Sequence, residues 1–240
     1  MDAQSDINNA QAPATAKPGC PIPPRQQPYE RAFEMGFDAL LSGGVSAFEC
    51  RNAKLEALGA TARSGIIRLP VLNQALLIDP GRREVLVENG DRARRAWSLL
   101  ALHYLCADDV SLDTREVSFG HLADSRSYVG VFARRIIGRF MATVGKTSEL
   151  FEQLSEQLGA TRLPPPGVGY RFDVLPRVPV AIIRHEGDNE IEPDANVIYR
   201  ADAEHLLPTE DCVVAVELLL DTLSGKPIAE APGGGDEKRR

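Results

Sequence analysis

Two apolar, β-branched runs held apart by an acidic crossing constrain this chain more than any other feature. Val178, Val180, Ile182 and Ile183 form the first run and residues 196–199 the second, which predicts two strands. Between them Glu186, Asp188, Glu190, Glu192 and Asp194 occupy alternate positions, so an extended backbone would set five carboxylates on one face. Such a row must stay in water, meet arginines or hold a hard cation, because like charges side by side raise one another's pKa. Gly187-Asp188 and Pro193-Asp194 carry turn chemistry, which favours a bent, solvated hairpin tip over a straight ladder.

The remaining periodicities place helices and a second group of strands around that hairpin. A helix opens at Pro28 with Tyr29, Phe33, Phe37, Leu40 and Leu41 on one face, and Gly43-Gly44 ends it. A second helix covers 48–58. Residues 66–72, 75–78 and 85–88 read as an antiparallel meander with turns at Asn73-Gln74 and Asp79-Pro80-Gly81. Residues 92–106 become apolar nearly all round, as a core helix does. A short strand at 117–119 precedes a helix over 128–144, with Val131, Phe132, Ile136, Phe140 and Val144 inward. Thr147 or Ser148 caps another helix that stops at Gly159. Pro164-Pro165-Pro166-Gly167 then leads into a strand over 170–174, and Pro208-Thr209-Glu210-Asp211 starts a last helix running to Leu223. The sum is an α+β fold: one domain over 27–224, with two groups of antiparallel strands separated by helices, between tails at 1–26 and 225–240 expected to be disordered.

With 240 residues and 43% hydrophobic content the chain can bury a full core. A formal net charge of -7 argues against nucleic acid as a partner, since duplex binding needs a basic excess. Neither an apolar h-region nor an apolar run of membrane-spanning length occurs, so the expectation is a soluble cytoplasmic protein without membrane association. Cys20, Cys50, Cys106 and Cys212 form no Cys-x-x-Cys pair, which fits reduced thiols better than a zinc ribbon or iron–sulfur motif.

An ordered set of short motifs carries a family resemblance. Leu99-Leu100-Ala101-Leu102-His103-Tyr104-Leu105 is followed by Val117-Ser118-Phe119, Leu122, Tyr128, Phe132, Arg135 and Phe140. Next come Leu175-Pro176-Arg177-Val178-Pro179, Glu186-Gly187-Asp188, Glu190, Ala195-Asn196 and Leu207-Pro208 with Glu210-Asp211. From Tyr29 to Leu223 the chain resembles the bacterial and archaeal Domain of Unknown Function 3786 family. Some members add a cysteine-rich iron–sulfur module, which this chain lacks. The resemblance implies no activity and no catalytic residues, and the cofactor is unknown.

Residue chemistry leaves two candidate sites. Arg134, Arg135 and Arg139 on one helix, with Arg177 and Arg184 near the central strands, have the forked donors that bind a carboxylate or phosphate, or else neutralise the acidic row. His185, Asp188, Glu190, Glu210 and Asp211 offer mixed imidazole and carboxylate ligands for a divalent metal if the strands and the last helix converge. His103 reads as a core or boundary residue. Gly145-Lys146-Thr147 lacks the earlier glycine of a phosphate loop, Phe140 standing in its place, and Gly167-Val168-Gly169 enters a strand where a dinucleotide fingerprint needs a helix. Three readings follow: a protein binding a small anionic ligand or cofactor, a metal-dependent enzyme, or an interaction module that docks a partner through the helix from Cys212 to Leu223.

Overall fold

The apolar runs sort into helices and two antiparallel sheets, an α+β architecture, in a computed structural model that describes residues 27–42, 47–107 and 111–231. The expected tail at 1–26 lies outside the described residues. Helix α1 (Gln27–Leu41) buries Phe33, Phe37 and Leu40, while Tyr29 and Leu41 fall off that face and stay exposed. Helix α2 (Ala47–Ala57) ends at Gly59, whose φ of +74° only glycine adopts without strain.

The first sheet is a meander in the order β1 (Thr61–Arg63), β2 (Ile66–Val71), β3 (Gln74–Asp79), β4 (Glu84–Val87). Ile67, Leu69, Val71, Leu76, Ile78, Val85 and Val87 form its buried side. Strand β1 escapes sequence reading because all its residues are exposed. Helix α3 (Arg95–Leu105) is the expected core helix, with Trp97, Leu100, Leu102 and Tyr104 buried. It starts three residues later than periodicity predicts because Arg92 and Ala93 are extended, bridging to Leu86 and Ala229. At Gly36 an added Cβ would lie 3.1 Å from the Leu102 side chain, so this glycine lets α1 approach α3 closely.

Strand β5 (Glu116–Ser118) precedes a helical stretch made of α4 (Val129–Phe132), a π-helical segment over Ala133–Gly138, and α5 (Arg139–Ala142). Phe132, Ile136 and Phe140 point inward as expected, but the wider π turn was not legible. Helix α6 (Ser148–Gln157) is capped as predicted, Leu150 N donating to Thr147 Oγ1 at 3.2 Å. Strands β6 (Thr161–Arg162), β7 (Val168–Leu175), β8 (Val178–His185) and β9 (Asp194–Arg200) complete the second sheet, in the order β5-β9-β8-β7-β6. Its inner face carries Tyr170, Phe172, Val180, Ile182, Val197 and Tyr199, all buried. Phe151 of α6 meets Phe140 and Tyr170 edge-on at 5.0 and 5.5 Å.

Helix α7 (Ala203–Leu206) leads into α8 (Thr209–Leu223), the centre of the molecule. Cys212, Val213, Ala215, Val216, Leu218, Leu219, Leu220 and Leu223 are all buried in it, wedged between α3, the π segment and β7. At about 2 kcal/mol per fully buried aliphatic side chain, this helix is the largest single contributor to the core. Its apolar residues are thereby spent, and it offers no exposed leucine row on which a partner could dock. The packing continues past 224: Ile228 is fully buried, Arg94 N donates to Ile228 O at 2.8 Å and Glu230 N to Arg92 O at 2.7 Å. Ile228 and Ala229, two apolar residues in a glycine-rich, charged stretch, gave too little pattern to predict this return.

Candidate functional site

The acidic crossing folds as a turn. Asp188 accepts hydrogen bonds from the backbone of Glu190 (2.8 Å) and Ile191 (2.9 Å), which holds its carboxyl below the usual carboxylate range, and its own N–H donates to Ile191 O. A Cβ on Gly187 would stand 2.5 Å from Ile191 O, so the turn requires glycine there. Glu186 folds back onto Arg184 and Ser148, both of which lower its pKa. The alternate carboxylates therefore do not share a face.

The five residues expected as metal ligands divide between two places. His185 receives the Asn196 amide at 2.9 Å and stands, with Asp188 and Glu190, at the β8–β9 tip. Glu210 and Asp211 open α8, where Asp211 pairs with His103 Nδ1 at 2.6 Å. That hydrogen bond raises the pKa of the half-buried imidazole against the opposing effect of burial. Among the described residues no group of three or more His, Cys, Asp or Glu side chains stands together as a metal site.

The five arginines do not converge either. Arg135 forms a two-pronged pair with Glu217 at 2.8 Å on both arms, and Arg139 reaches Asp221 at 2.5 Å. Arg184, 4% exposed, donates to Gly145 O and Ser148 Oγ at 2.8 Å and pairs with Glu186 at 2.5 Å. Arg177 sits at the other end of β8, roughly 20 Å away along the strand. There it holds the fully buried Asp202 at 3.0 Å together with Arg200, and also donates to Ser111 O. Arg134 is exposed on the helical stretch. The Gly145-Lys146-Thr147 loop is shaped by packing: a Cβ on Gly145 would collide with the Phe140 ring.

The most site-like arrangement lies beside Arg139. A groove of about 500 Å3 runs between α6 and the end of α8, with Val144, Leu150, Leu154, Leu158 and Leu223 as its apolar lining and Thr143, Thr222 and Ser224 as its hydroxyl groups. Those hydroxyls donate to Arg139 O, Leu218 O and Leu220 O one turn back on their own helices. The neighbours of Thr222 and Gly225 in the chain are Asp221 and Lys226, so the groove adjoins an ionic cluster. Asp221 accepts from Arg94 (2.9 Å), Arg139 (2.5 Å) and Lys226 (2.9 Å), three cations to one carboxylate. Burial alone would raise the Asp221 pKa, but those hydrogen bonds outweigh it and hold the carboxyl down to about 2. Two further Arg94 nitrogens, Nε and Nη2, are buried without an acceptor among the described residues.

Of this cluster the sequence reading found Arg139 alone. The available signal was Asp221 itself, an acid in the last turn of a helix, where the macrodipole disfavours it and cations must gather. Burial pushes the Cys212 thiol up to about 12, far from a reactive value. No helix among the described residues is long and apolar enough to cross a membrane. No curated protein and no solved structure matches the chain. A family model matches residues 52–222, which span the meander, the helical stretch, the five-stranded sheet and most of α8; the chain belongs to the family described as Domain of unknown function (DUF3786).

Proposed function

We propose that this protein binds a small amphipathic anion, with its apolar body in the groove between α6 and α8 and its anionic head at Arg139 and Lys226. The observation that carries this reading is the imbalance around Asp221: three cations surround one carboxylate, whose chain neighbours Thr222 and Leu223 line an apolar groove. Cations in excess of their acidic partners, with buried guanidinium N–H groups still lacking acceptors, favour a second anion. The lining leucines and valine supply apolar surface, and the groove's lining includes no Cys, His, Lys or carboxylate that would activate its hydroxyls. Binding without chemistry is the function this geometry supports best.

Octanoate tests it, with octanol and propionate as probes of tail and head separately. Octanoate is expected to bind saturably by calorimetry and to raise the melting temperature by mass action on the folded state. Octanol and propionate bind far more weakly. Lys226→Gln, at an exposed position, weakens octanoate binding several-fold without unfolding the chain. Absence of saturable binding by both octanoate and octyl phosphate refutes the reading.

A further inference from the structure

Among the described residues the helices pack on one face of the five-stranded sheet and leave the other open. Along β7, β8 and β9 that outer face presents Arg171 and Asp173, then Pro179, Ala181 and Ile183, then Ile198 and Arg200, with Glu116 on β5 at its margin. A solvated antiparallel face normally alternates polar outward residues with buried ones, yet the middle of this one is apolar. A depression of about 390 Å3 opens there, lined by Pro176, Pro179, Ala181 and Ile198 and rimmed by Arg171, Asp173 and Glu116.

Among the described residues the rim charges on β7 find no counter-charge. Most arginines in this protein hold a carboxylate, but Arg171 and Asp173 form neither an ion pair nor a side-chain hydrogen bond among the described residues. The register explains why: Arg171 stands opposite Ala181 and Asp173 opposite Pro179, so neither finds an opposite charge across the ladder.

We propose that this open face is the interface of a homodimer, covered by a second copy of this chain. One strand carries a positive and a negative residue two positions apart on the same face. A two-fold axis crossing the strands between those two rows lays Arg171 of each copy over Asp173 of the other. The same operation brings Pro179 over Ala181 and closes the apolar centre. Two sheets packed face to face stand about 10 Å apart, a gap that an arginine and an aspartate side chain bridge together. An occupant of one charge sign would leave one of the two rim residues facing a like charge, whereas a second copy satisfies both, as an isologous contact must.

Sedimentation equilibrium on the full chain, from about 1 µM to about 1 mM, is the test. The expected species is a dimer of twice 26.1 kDa. Arg171→Asp alone and Asp173→Arg alone each place like charges across the axis and weaken dimerisation at least tenfold, roughly the effect of opposed charges at an interface. Both positions are exposed, so both variants fold. Mixing the two single variants restores a heterodimer, and the exchange Arg171→Asp/Asp173→Arg in one chain restores the homodimer. A monomer at every concentration, a dimer indifferent to both single variants, or single variants that mixing does not rescue would each overturn the proposal.

Discussion

Replacing Asp202 by alanine should cost this fold about 3 kcal/mol, and the reasoning starts from its burial. Asp202 is fully buried at the end of β9. Its carboxylate accepts from Arg177 Nη2 at 3.0 Å and from Arg200 Nε at 3.0 Å, while its N–H donates to Asp113 O at 3.1 Å. Through Arg177, which also reaches Ala57 O and Ser111 O, the group ties together the end of α2, the 111–115 loop, the β7–β8 turn and the start of α7. Deleting one partner of a buried ion pair costs about 3–5 kcal/mol, because the other charge stays buried without compensation. Here two guanidiniums are stranded, but Arg177 keeps its carbonyl acceptors and Arg200 is 23% exposed to water. The lower end of that range therefore applies, equivalent to a fall in melting temperature of roughly 6–12 °C for a chain of this size.

Urea unfolding followed by circular dichroism reads this directly. The midpoint should fall with the m-value unchanged, which separates lost stability from a changed denatured state. Asp202→Asn should lose about half as much, since its carbonyl still accepts one hydrogen bond. Asp113→Ala is the control: its short pair with Arg115 lies in solvent, and its removal should leave the midpoint unmoved. An Asp202→Ala protein within about 0.5 kcal/mol of wild type would refute the argument. It would also return Arg177 to the set of arginines available to a ligand.

Two further outcomes follow from the geometry. His103, whose pKa is raised above 6.5 by Asp211, stabilises the fold fully below its unfolded pKa and loses that contribution as pH rises through its folded value. The stability difference between wild type and Asp211→Asn should therefore shrink on going from about pH 6 to above the raised pKa, and the NMR titration midpoint of His103 should drop in that variant; a pH-independent difference contradicts the pairing. At Gly59 the φ of +74° and a Cβ position 2.5 Å from Pro176 Cβ add strain to collision, so Gly59→Ala should lose about 2–4 kcal/mol. Gly65→Ala, with φ +83° and open space around it, should lose only about 1 kcal/mol in the same urea assay.

The sequence was legible wherever a local pattern is sufficient. Apolar, β-branched runs between turn residues located β2, β3, β4, β7, β8 and β9, helical spacing and start signals located α1, α3, α6 and α8, and Thr147 caps α6 as its position predicts. Strands β1 and β6 were illegible because three and two exposed residues carry no alternation. The π segment was illegible because Phe132, Ile136 and Phe140 keep helical spacing on either reading.

The ionic partners were illegible for a different reason, which the fold itself exposes. Charges that stand out as a run, Glu186 to Asp194, are the ones folding leaves in water, since no interior has room to compensate five carboxylates. The charges that organise the interior are single residues inside apolar runs: Asp221 in Leu218-Leu219-Leu220-Asp221-Thr222-Leu223, Asp202 in Ala201-Asp202-Ala203, Arg184 in Ile182-Ile183-Arg184. Arg184 and Asp202 are carried into the core by their neighbours and must find their counter-charge there, while Asp221 stays partly exposed on α8, on the same stripe as Glu217, and gathers its cations at the edge of the core. Those counter-charges lie 127 residues away for Arg94 with Asp221 and 82 for Arg139 with Asp221, beyond any local motif. A lone charge on the buried face of an apolar element thus marks an ion pair before its partner is known. In this chain that rule leads to Arg184 and Asp202, whereas Asp221 is marked by its place in the last turn of α8, and from there leads to the cations beside the groove.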